Sequence, residues 1–258
     1  MSIDVRGSGD GVAIITINRP EKLNALDAAH YADLSAAWCS TRDDPSIRAI
    51  VITGAGSRSF SAGADLHTFI GNPADAGDFF KTQKGMLLNR GVEMWKPVIA
   101  AVNGFCLGGG MTLMLATDIR IAAESATFGL LEVKRGVIAA NGGTQRTMDQ
   151  LPRAIAMEVL LTGDRFDAKM AERWGLVNRV VGDDEVLTAA CAIASRIARN
   201  APLAVQAAKE LAVRSRDMHL AEGLRMEQFA NRMLSTTDDA KEGRLAFMEK
   251  REPVFLGN

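Results

Sequence analysis

The sequence predicts an α/β protein with a helical tail, and three observations carry that expectation. β-Branched apolar runs alternate with segments of helical periodicity through most of the 258 residues. Glycine-rich stretches stand directly at the ends of several of those runs. From about residue 200 onward no further β-like run occurs, and only helical periodicity remains. The chain therefore divides into a core over residues 1–199 and a helical region over residues 200–258, long enough to pack outward against another subunit.

Residues 12–18 are β-branched and run into Arg19-Pro20, a strand followed by a turn. Asp27 reads as the N-cap of a helix that carries Leu34, Ala37 and Trp38 on one face and stops by Asp44-Pro45. Residues 48–53 form the next strand and open into Gly54-Ala-Gly-Ser-Arg-Ser-Phe-Ser-Ala-Gly-Ala-Asp-Leu66. Residues 72–78 read as a mobile loop, and 79–95 as an amphipathic helix. A buried strand at 97–102 breaks at Asn103-Gly104, and Gly108-Gly109-Gly110 precede an apolar helical run at 111–116. Residues 119–122 are another short strand, whereas 128–146 are too rich in glycine for simple secondary structure and read as a loop that places side chains. Pro152 stands near a helix start, Asp167 is an N-cap, and Gly175 occupies C′ after a helix at 168–174. A last short strand at 176–181 leads to helices at 185–199, 203–214, 219–233 and 237–250. The final one has Asp238 and Asp239 in its first turn and Lys250 and Arg251 in its last, as the helix dipole favours.

Thirty basic against 31 acidic residues leave a net charge of −1, which excludes a dominant electrostatic attraction to nucleic acid or to an anionic membrane. Cys39, Cys106 and Cys191 are odd in number and widely spaced, which suits reduced thiols in a cytosol-like compartment. The first residues carry neither a basic region with an apolar core nor an Arg-rich amphipathic pattern, so neither secretion nor organelle import is signalled and a cytoplasmic location is expected. No apolar run approaches the roughly 20 residues that span a bilayer. With aromatics at only 5%, the core is expected to be aliphatic layers, with Met as filler.

The triple glycine is the stretch with chemical character. Glycines at the mouth of a helix let a ligand come close and leave N–H groups unpaired at the positive end of the dipole, a place for negative charge. A plain flexible turn is the equal alternative on this stretch alone. No Gly-Lys-Ser/Thr follows, and Gly108-Gly109-Gly110-Met-Thr lacks the last glycine of G-x-G-x-x-G, which disfavours nucleotide-phosphate cradles. His30, His67 and His219 are scattered, and no spacing of His, Cys and carboxylates suggests a metal. Ser61 lacks the Gly-x-Ser-x-Gly frame of a nucleophile elbow.

Taken jointly and in order, several stretches resemble the crotonase, or enoyl-CoA hydratase/isomerase, superfamily. They are Asn18-Arg-Pro-Glu-Lys-Leu-Asn-Ala-Leu26, Phe60-Ser-Ala-Gly-Ala-Asp-Leu66, Ala101-Val-Asn-Gly-Phe-Cys-Leu-Gly-Gly-Gly110, Phe128-Gly-Leu-Leu-Glu132 and Gly142-Gly-Thr-Gln-Arg146. Leu161-Thr-Gly-Asp-Arg165, Gly175-Leu-Val-Asn178 and the run from Glu242 to Arg251 extend the resemblance over nearly the whole chain. It implies a right-handed spiral of ββα turns followed by helices that pack trimers, often paired into hexamers. It also implies chemistry on an acyl-CoA thioester through an enolate held by two backbone N–H groups, here those of Ala64 and Gly109. CoA would be part of the substrate, with no separate cofactor. Lys22, Ala62 and Leu66 match positions that line the CoA nucleotide and pantetheine, and Phe247 and Lys250 match positions that reach the nucleotide, sometimes of a neighbouring subunit.

One departure bears on the reaction. Hydratases of the superfamily use two glutamates; Glu132 matches the second, but the first position is Thr112. A carboxylate pair suits syn addition of water, since one group activates the water while the other supplies a proton. The Thr112 hydroxyl can at most position a water or a substrate hydroxyl. A single carboxylate suffices to take a proton beside the thioester carbonyl and return it two carbons along, so the resemblance favours double-bond isomerisation or related proton transfer. An atypical hydratase and a non-catalytic acyl-CoA binder are the alternatives, and Glu132 could also be a loop carboxylate paired with Lys134 or Arg135. Asn141, where relatives often carry Pro-Gly-Ala or Pro-Asp-Ala over residues 139–141, either hydrogen-bonds an acyl group or stabilises a turn.

Overall fold

The computed structural model describes residues 2–65 and 86–258. The predicted loop at 72–78, Leu66 and the first part of the predicted helix at 79–95 lie outside the described residues. Among the described residues, ten strands divide between two sheets. The larger contains β1 (Ile3–Gly7), β2 (Val12–Ile17), β3 (Ala49–Gly54), β5 (Val98–Val102), β7 (Ile119–Ala123) and β10 (Arg179–Val181), in that spatial order. The smaller runs β4 (Ser59–Ser61), β6 (Phe105–Leu107), β8 (Thr127–Gly129) and β9 (Phe166–Asp167). In the larger sheet β1 pairs antiparallel to β2, and every later pairing is parallel, with Ile50 opposite Val98 and Ile99 opposite Ile119. Every residue of β3 and β5 is buried, as expected of parallel strands covered on both faces, which is why these runs read as continuous apolar segments.

From β3 onward the chain alternates between the sheets: β3 to β4, β5 to β6, β7 to β8. Helix α2 (Gly109–Met114) completes the second of these turns. This is the crotonase-like spiral that the motifs imply. Between the expected break at Asn103-Gly104 and the triple glycine lies a strand, β6, whose three residues are too few to show a period. Gly104 (φ +106°) lets the chain cross between sheets, since a Cβ there would lie 2.3 Å from the Arg58 carbonyl oxygen.

Helix α1 (Ala28–Asp43) starts as predicted, with the Asp27 carboxylate accepting the His30 N–H, and buries Leu34, Ala37 and Trp38. Residues 86–95 are not the predicted helix end. Leu87 instead bridges Arg90 in a tight turn, and Gly91 at φ +85° interrupts the apolar spacing that suggested a helix. The glycine-rich segment 128–146 is likewise more than a loop, holding β8, a 3₁₀ turn at Glu132–Arg135 and the start of α3 (Gly143–Gln150). Helices α4 (Arg153–Thr162) and α5 (Ala168–Arg173) follow, the latter capped by Asp167. Helix α6 (Val186–Ala198) lays Val186, Ala190, Ala194 and Ala198, spaced four apart, against β3, β5 and β7.

The tail comprises α7 (Pro202–Arg214), α8 (Leu220–Leu234) and α9 (Asp238–Glu249). Asp239 does more than complement a dipole: its buried carboxylate accepts the N–H groups of Leu256 and Gly257 at 2.7 and 2.9 Å, folding the last residues back on α9. Lys250 is not in the last turn but is the left-handed C-cap (φ 55°), and Arg251 beyond it pairs with Glu242, holding that carboxyl down at about 2. No helix among the described residues is long and apolar enough to cross a membrane.

Candidate active site

Two buried asparagines fix the loops that face each other at the glycine-rich stretches. Asn24, fully buried and left-handed (φ 55°), accepts the Arg19 N–H and donates to the carbonyls of Ala55 and Ser59 at 3.0 and 2.6 Å. The surrounding backbone continues the seam, with Ala62 N–H donating to Leu23, Leu26 N–H to Gly63 and Asp65 N–H to Leu26. On the next turn of the spiral, Asn103 donates to the Gly54 carbonyl at 2.7 Å and accepts the Gly54 N–H at 3.2 Å. The segment 18–26 is thus a brace for the loop 59–65. Buried Arg120 secures the far end of α2 by donating to the carbonyls of Met114, Leu115, Thr117 and Leu176; burial pulls its pKa down to about 10.

The seam also aims a backbone amide. Because Gly63 C=O and Asp65 N–H are the groups bonded to Leu26, Ala64 N–H points to the opposite side, toward α2. There it meets Gly109, whose N–H is the first of the helix and has no intrahelical partner. A Cβ built on Gly109 would lie 3.4 Å from Ala64 N, and one on Gly63 (φ +88°) only 2.6 Å from Gly109 N. Gly110 is held tighter still, its Cβ position 2.3 Å from the Ser61 carbonyl oxygen. The triple glycine is therefore no flexible turn: any side chain at 110 would separate α2 from β4. Neither amide has an acceptor among the described residues.

Glu132 faces this pair from the 3₁₀ turn after β8. Its Oε1 lies 3.4 Å from the Cβ position of Gly108, and its buried Oε2 has no hydrogen-bond partner among the described residues. Burial raises its pKa above the ordinary glutamate value, against the lesser opposing effects of its own backbone and of Arg135. Lys134 is paired with Asp164 at 2.6 Å, so it does not neutralise Glu132. Thr112 is 2% exposed; its hydroxyl donates to the Gly108 carbonyl at 3.3 Å and stands 2.8 Å from where a Cβ on Gly143 would be. Asn141 is left-handed (φ 55°) at the entry to α3, and its carbonyl accepts from Arg146, the arrangement of a turn residue.

Ala62 belongs to the braced loop, and Lys22 is exposed at the end of the 3₁₀ turn Pro20–Lys22 beside it. Phe247, 85% exposed, and Lys250 lie at the end of α9, and no hydrogen bond or ring contact joins them to this cluster among the described residues. One group not foreseen from the sequence is Tyr31 on α1. Its hydroxyl stands 3.4 Å from the same Gly109 Cβ position, and burial pushes the phenol up, Arg90 lowering it and Glu132 raising it further. The signal available was its place four residues after the N-cap Asp27, directly behind the motif 18–26. A tyrosine on a helix face ordinarily reads as core.

A spiral presenting two unbonded amides opposite a half-buried glutamate defines the class. The family model described as Enoyl-CoA hydratase/isomerase matches residues 7–258, and the chain belongs to that family. It is 43% identical over 246 residues to the (E)-benzylidenesuccinyl-CoA hydratase of Thauera aromatica, covering 95% of this chain and 96% of that protein. It is 41% identical over 263 residues to the carnitinyl-CoA dehydratase of Salmonella arizonae, with both chains fully covered. Among solved structures, the enoyl-CoA hydratase from Bacillus anthracis superposes with a TM-score of 0.92 at 37% identity, again over the whole of both chains. The chain is thus an enzyme-family member, and the two curated relatives named above are a hydratase and a dehydratase.

Proposed function

We propose that the protein acts on an acyl-CoA thioester through an enolate, with the thioester oxygen received by Ala64 N–H and Gly109 N–H and with Glu132 as the proton-transfer base. The observation that carries this is the convergence of both amides and the Glu132 carboxylate on Gly108 and Gly109. Backbone amides neither titrate nor reorganise as charge develops, which is what an enolate oxygen requires. Lys22, Ala62 and Leu66 would take the CoA moiety. Phe247 and Lys250 would take its nucleotide end across a subunit contact, in keeping with the exposure of Phe247, Met248, Leu220 and Met233 on a protomer that assembles as a trimer or a dimer of trimers. CoA enters as part of the substrate, and the reading needs no further cofactor.

With Thr112 buried and bonded to its own helix, one carboxylate remains among the described residues at the amide pair. Glu132 takes a proton from the carbon beside the thioester carbonyl, the negative charge moves to the thioester oxygen, and the same proton returns two carbons along as the double bond shifts. This favours isomerisation. The names of the relatives favour the second reading, a hydro-lyase in which water adds to or leaves the carbon next to that position.

Parallel incubation with a 3-enoyl-CoA and with crotonyl-CoA separates the readings. The proposal expects conversion of the 3-enoyl thioester to its conjugated isomer, lost in Glu132→Gln. Prompt hydration of crotonyl-CoA that survives Glu132→Ala would overturn it, and CoA-ester binding without turnover of either would point to a binder.

A further inference from the structure

A cavity of about 570 Å³ lies at the opposite end of α2 from Gly109. Leu115 just past α2, Trp95 before β5, Arg146 on α3 and Val213 on α7 are among the residues that line it, and none of Ala64, Gly109 and Glu132 does. Its volume is that of a small-molecule site. Four cationic side chains face it, those of Arg120, Arg146, Lys209 and Arg216, against the two carboxylates of Glu93 and Asp118. The whole chain has a net charge of −1, so this excess of positive charge is local.

Neither carboxylate is left to neutralise that excess. Asp118 pairs with Lys209 at 2.7 Å and accepts the Val98 N–H, and Glu93 pairs with Arg214, which does not line the cavity. Arg120 gives its donors to four carbonyls, which satisfy its hydrogens and leave its charge. Arg216 reaches Asp149 at 3.1 Å, both side chains half exposed. Arg146 is the least satisfied: its Nη1 donates to the Asn141 carbonyl at 3.0 Å, and its Nε and Nη2 have no acceptor among the described residues. Burial lowers its pKa and the like charge of Arg216 lowers it further, against a smaller opposing effect of Asp149. The helix that carries it is fixed to the end of α2, since Gln150, one turn on, donates to the Leu115 carbonyl at 3.0 Å.

We propose that this cavity binds an organic carboxylate, with Arg146 gripping the carboxylate and Trp95, Leu115 and Val213 covering the apolar body. Nε and Nη2 form one edge of a guanidinium, and two parallel N–H groups on that edge match the two oxygens of a carboxylate. The charges of Arg120 and Arg216 add attraction that a bound anion would in turn relieve as repulsion among the three guanidinium groups. An inorganic anion would use the charge and leave the apolar walls uncovered. Two sources present this chemistry: a free organic acid, or an acyl group that carries its own carboxylate at the end remote from the thioester. The second rests on the acyl-thioester reading given above, and the cavity wall at Leu115 is three residues past Thr112.

The test is calorimetric titration of the full chain with 3-phenylpropionate, 3-phenylpropanol and inorganic sulfate. The acid should bind about tenfold or more tighter than the alcohol or sulfate, and more weakly as salt is raised. Arg146→Lys keeps the charge and loses the fork, and should weaken the acid about tenfold. Val213→Asp sets a carboxylate in the wall at a position 48% exposed, away from α3, and should weaken the acid to a similar degree whether or not the Arg146 variant keeps its fold. Acid binding unchanged in Val213→Asp, or no preference for the acid over both the alcohol and sulfate, overturns the proposal. Turnover of an enoyl-CoA whose acyl chain ends in a carboxylate, against its methyl ester, identifies the source. For the acyl group, the acid thioester has the higher kcat/KM by about tenfold, Val213→Asp removes the difference, and 3-phenylpropionate competes with it. For a free acid, the two thioesters are alike and 3-phenylpropionate binds alongside them. Acid binding without turnover of any thioester overturns the acyl-thioester reading and supports the carboxylate site.

Discussion

Gly63→Ala tests the amide pair most directly, because the perturbation is a single methyl aimed at one of the two donors. The added Cβ would sit 2.6 Å from Gly109 N, about 0.8 Å short of ordinary contact at 3.4 Å, with the Leu107 carbonyl oxygen at 2.9 Å on another side. Both neighbours are backbone, so relief requires one loop to move. An oxyanion donor works at about 2.7–3.1 Å, and displacement of several tenths of an ångström removes it, at a cost on the order of 10²–10³ in kcat. Folding suffers separately: alanine at φ +88° is strained by roughly 1–2 kcal/mol, and the overpacking adds about 1–3 kcal/mol. The sum corresponds to a Tm lower by roughly 4–20 °C in a chain of this size. Gly175→Ala separates the two effects, since Gly175 has a similar φ of +74° with nothing within 4 Å of its Cβ position. It should show the strain alone and full kcat. Turnover of an enoyl-CoA and a thermal melt, run on all three proteins, decide the matter. Wild-type kcat in Gly63→Ala would refute the placement of the thioester oxygen between Ala64 and Gly109.

Glu132→Gln should lower turnover by about 10²–10⁴, as expected for loss of a positioned base. In the wild type the acid limb of kcat/KM should have its midpoint above the 4.5 of an unperturbed glutamate, since burial favours the protonated form and the base acts only when deprotonated. A carboxyl raised by folding contributes stability below its unfolded pKa and loses it as pH rises through the folded value; thermal melts of Glu132→Gln should therefore match or exceed wild type at pH 7, with any advantage gone in acid. Thr112→Glu should gain some hydration of crotonyl-CoA, read as loss of conjugated-thioester absorbance, and its acid limb should move to higher pH because two nearby carboxyls hold a proton more tightly than one. Arg120→Met should cost about 3–5 kcal/mol in chemical denaturation, because four carbonyls at the end of α2 and beyond lose a buried charged donor.

The parts of the fold legible in the sequence were those with a period or a cap. Residues 12–18, 48–53 and 97–102 stood out because parallel strands buried on both faces are continuously apolar, and α1 and α5 because Asp27 and Asp167 cap them. The second sheet was not legible: β4, β6, β8 and β9 have two or three residues each, below the length at which alternation can register. At 86–95 the apolar spacing suggested a helix that Gly91 forbids. For the site, local signals showed only that the glycine stretches were unusual. The meeting of Ala64, Gly109 and Glu132 is a tertiary fact, reached in advance through the joint motifs, and Tyr31 was missed because no short pattern distinguishes a site phenol from a core one.

The construction of the site also bears on how its chemistry can vary among relatives about 40% identical that carry different reaction names. The two amides are placed by backbone seams and by Asn24 and Asn103, none of which involves residue 112, 132 or 31. Those three side chains come from separate elements, the interior of α2, the 3₁₀ turn after β8 and the first turn of α1. Exchanging a carboxylate for a threonine at 112 therefore changes which protons can be delivered without moving the Ala64 and Gly109 amides proposed to receive the oxygen, since Thr112 makes its bond within its own helix turn. A scaffold that places the proposed enolate donors independently of its proton-bearing side chains permits the reaction to change one side chain at a time.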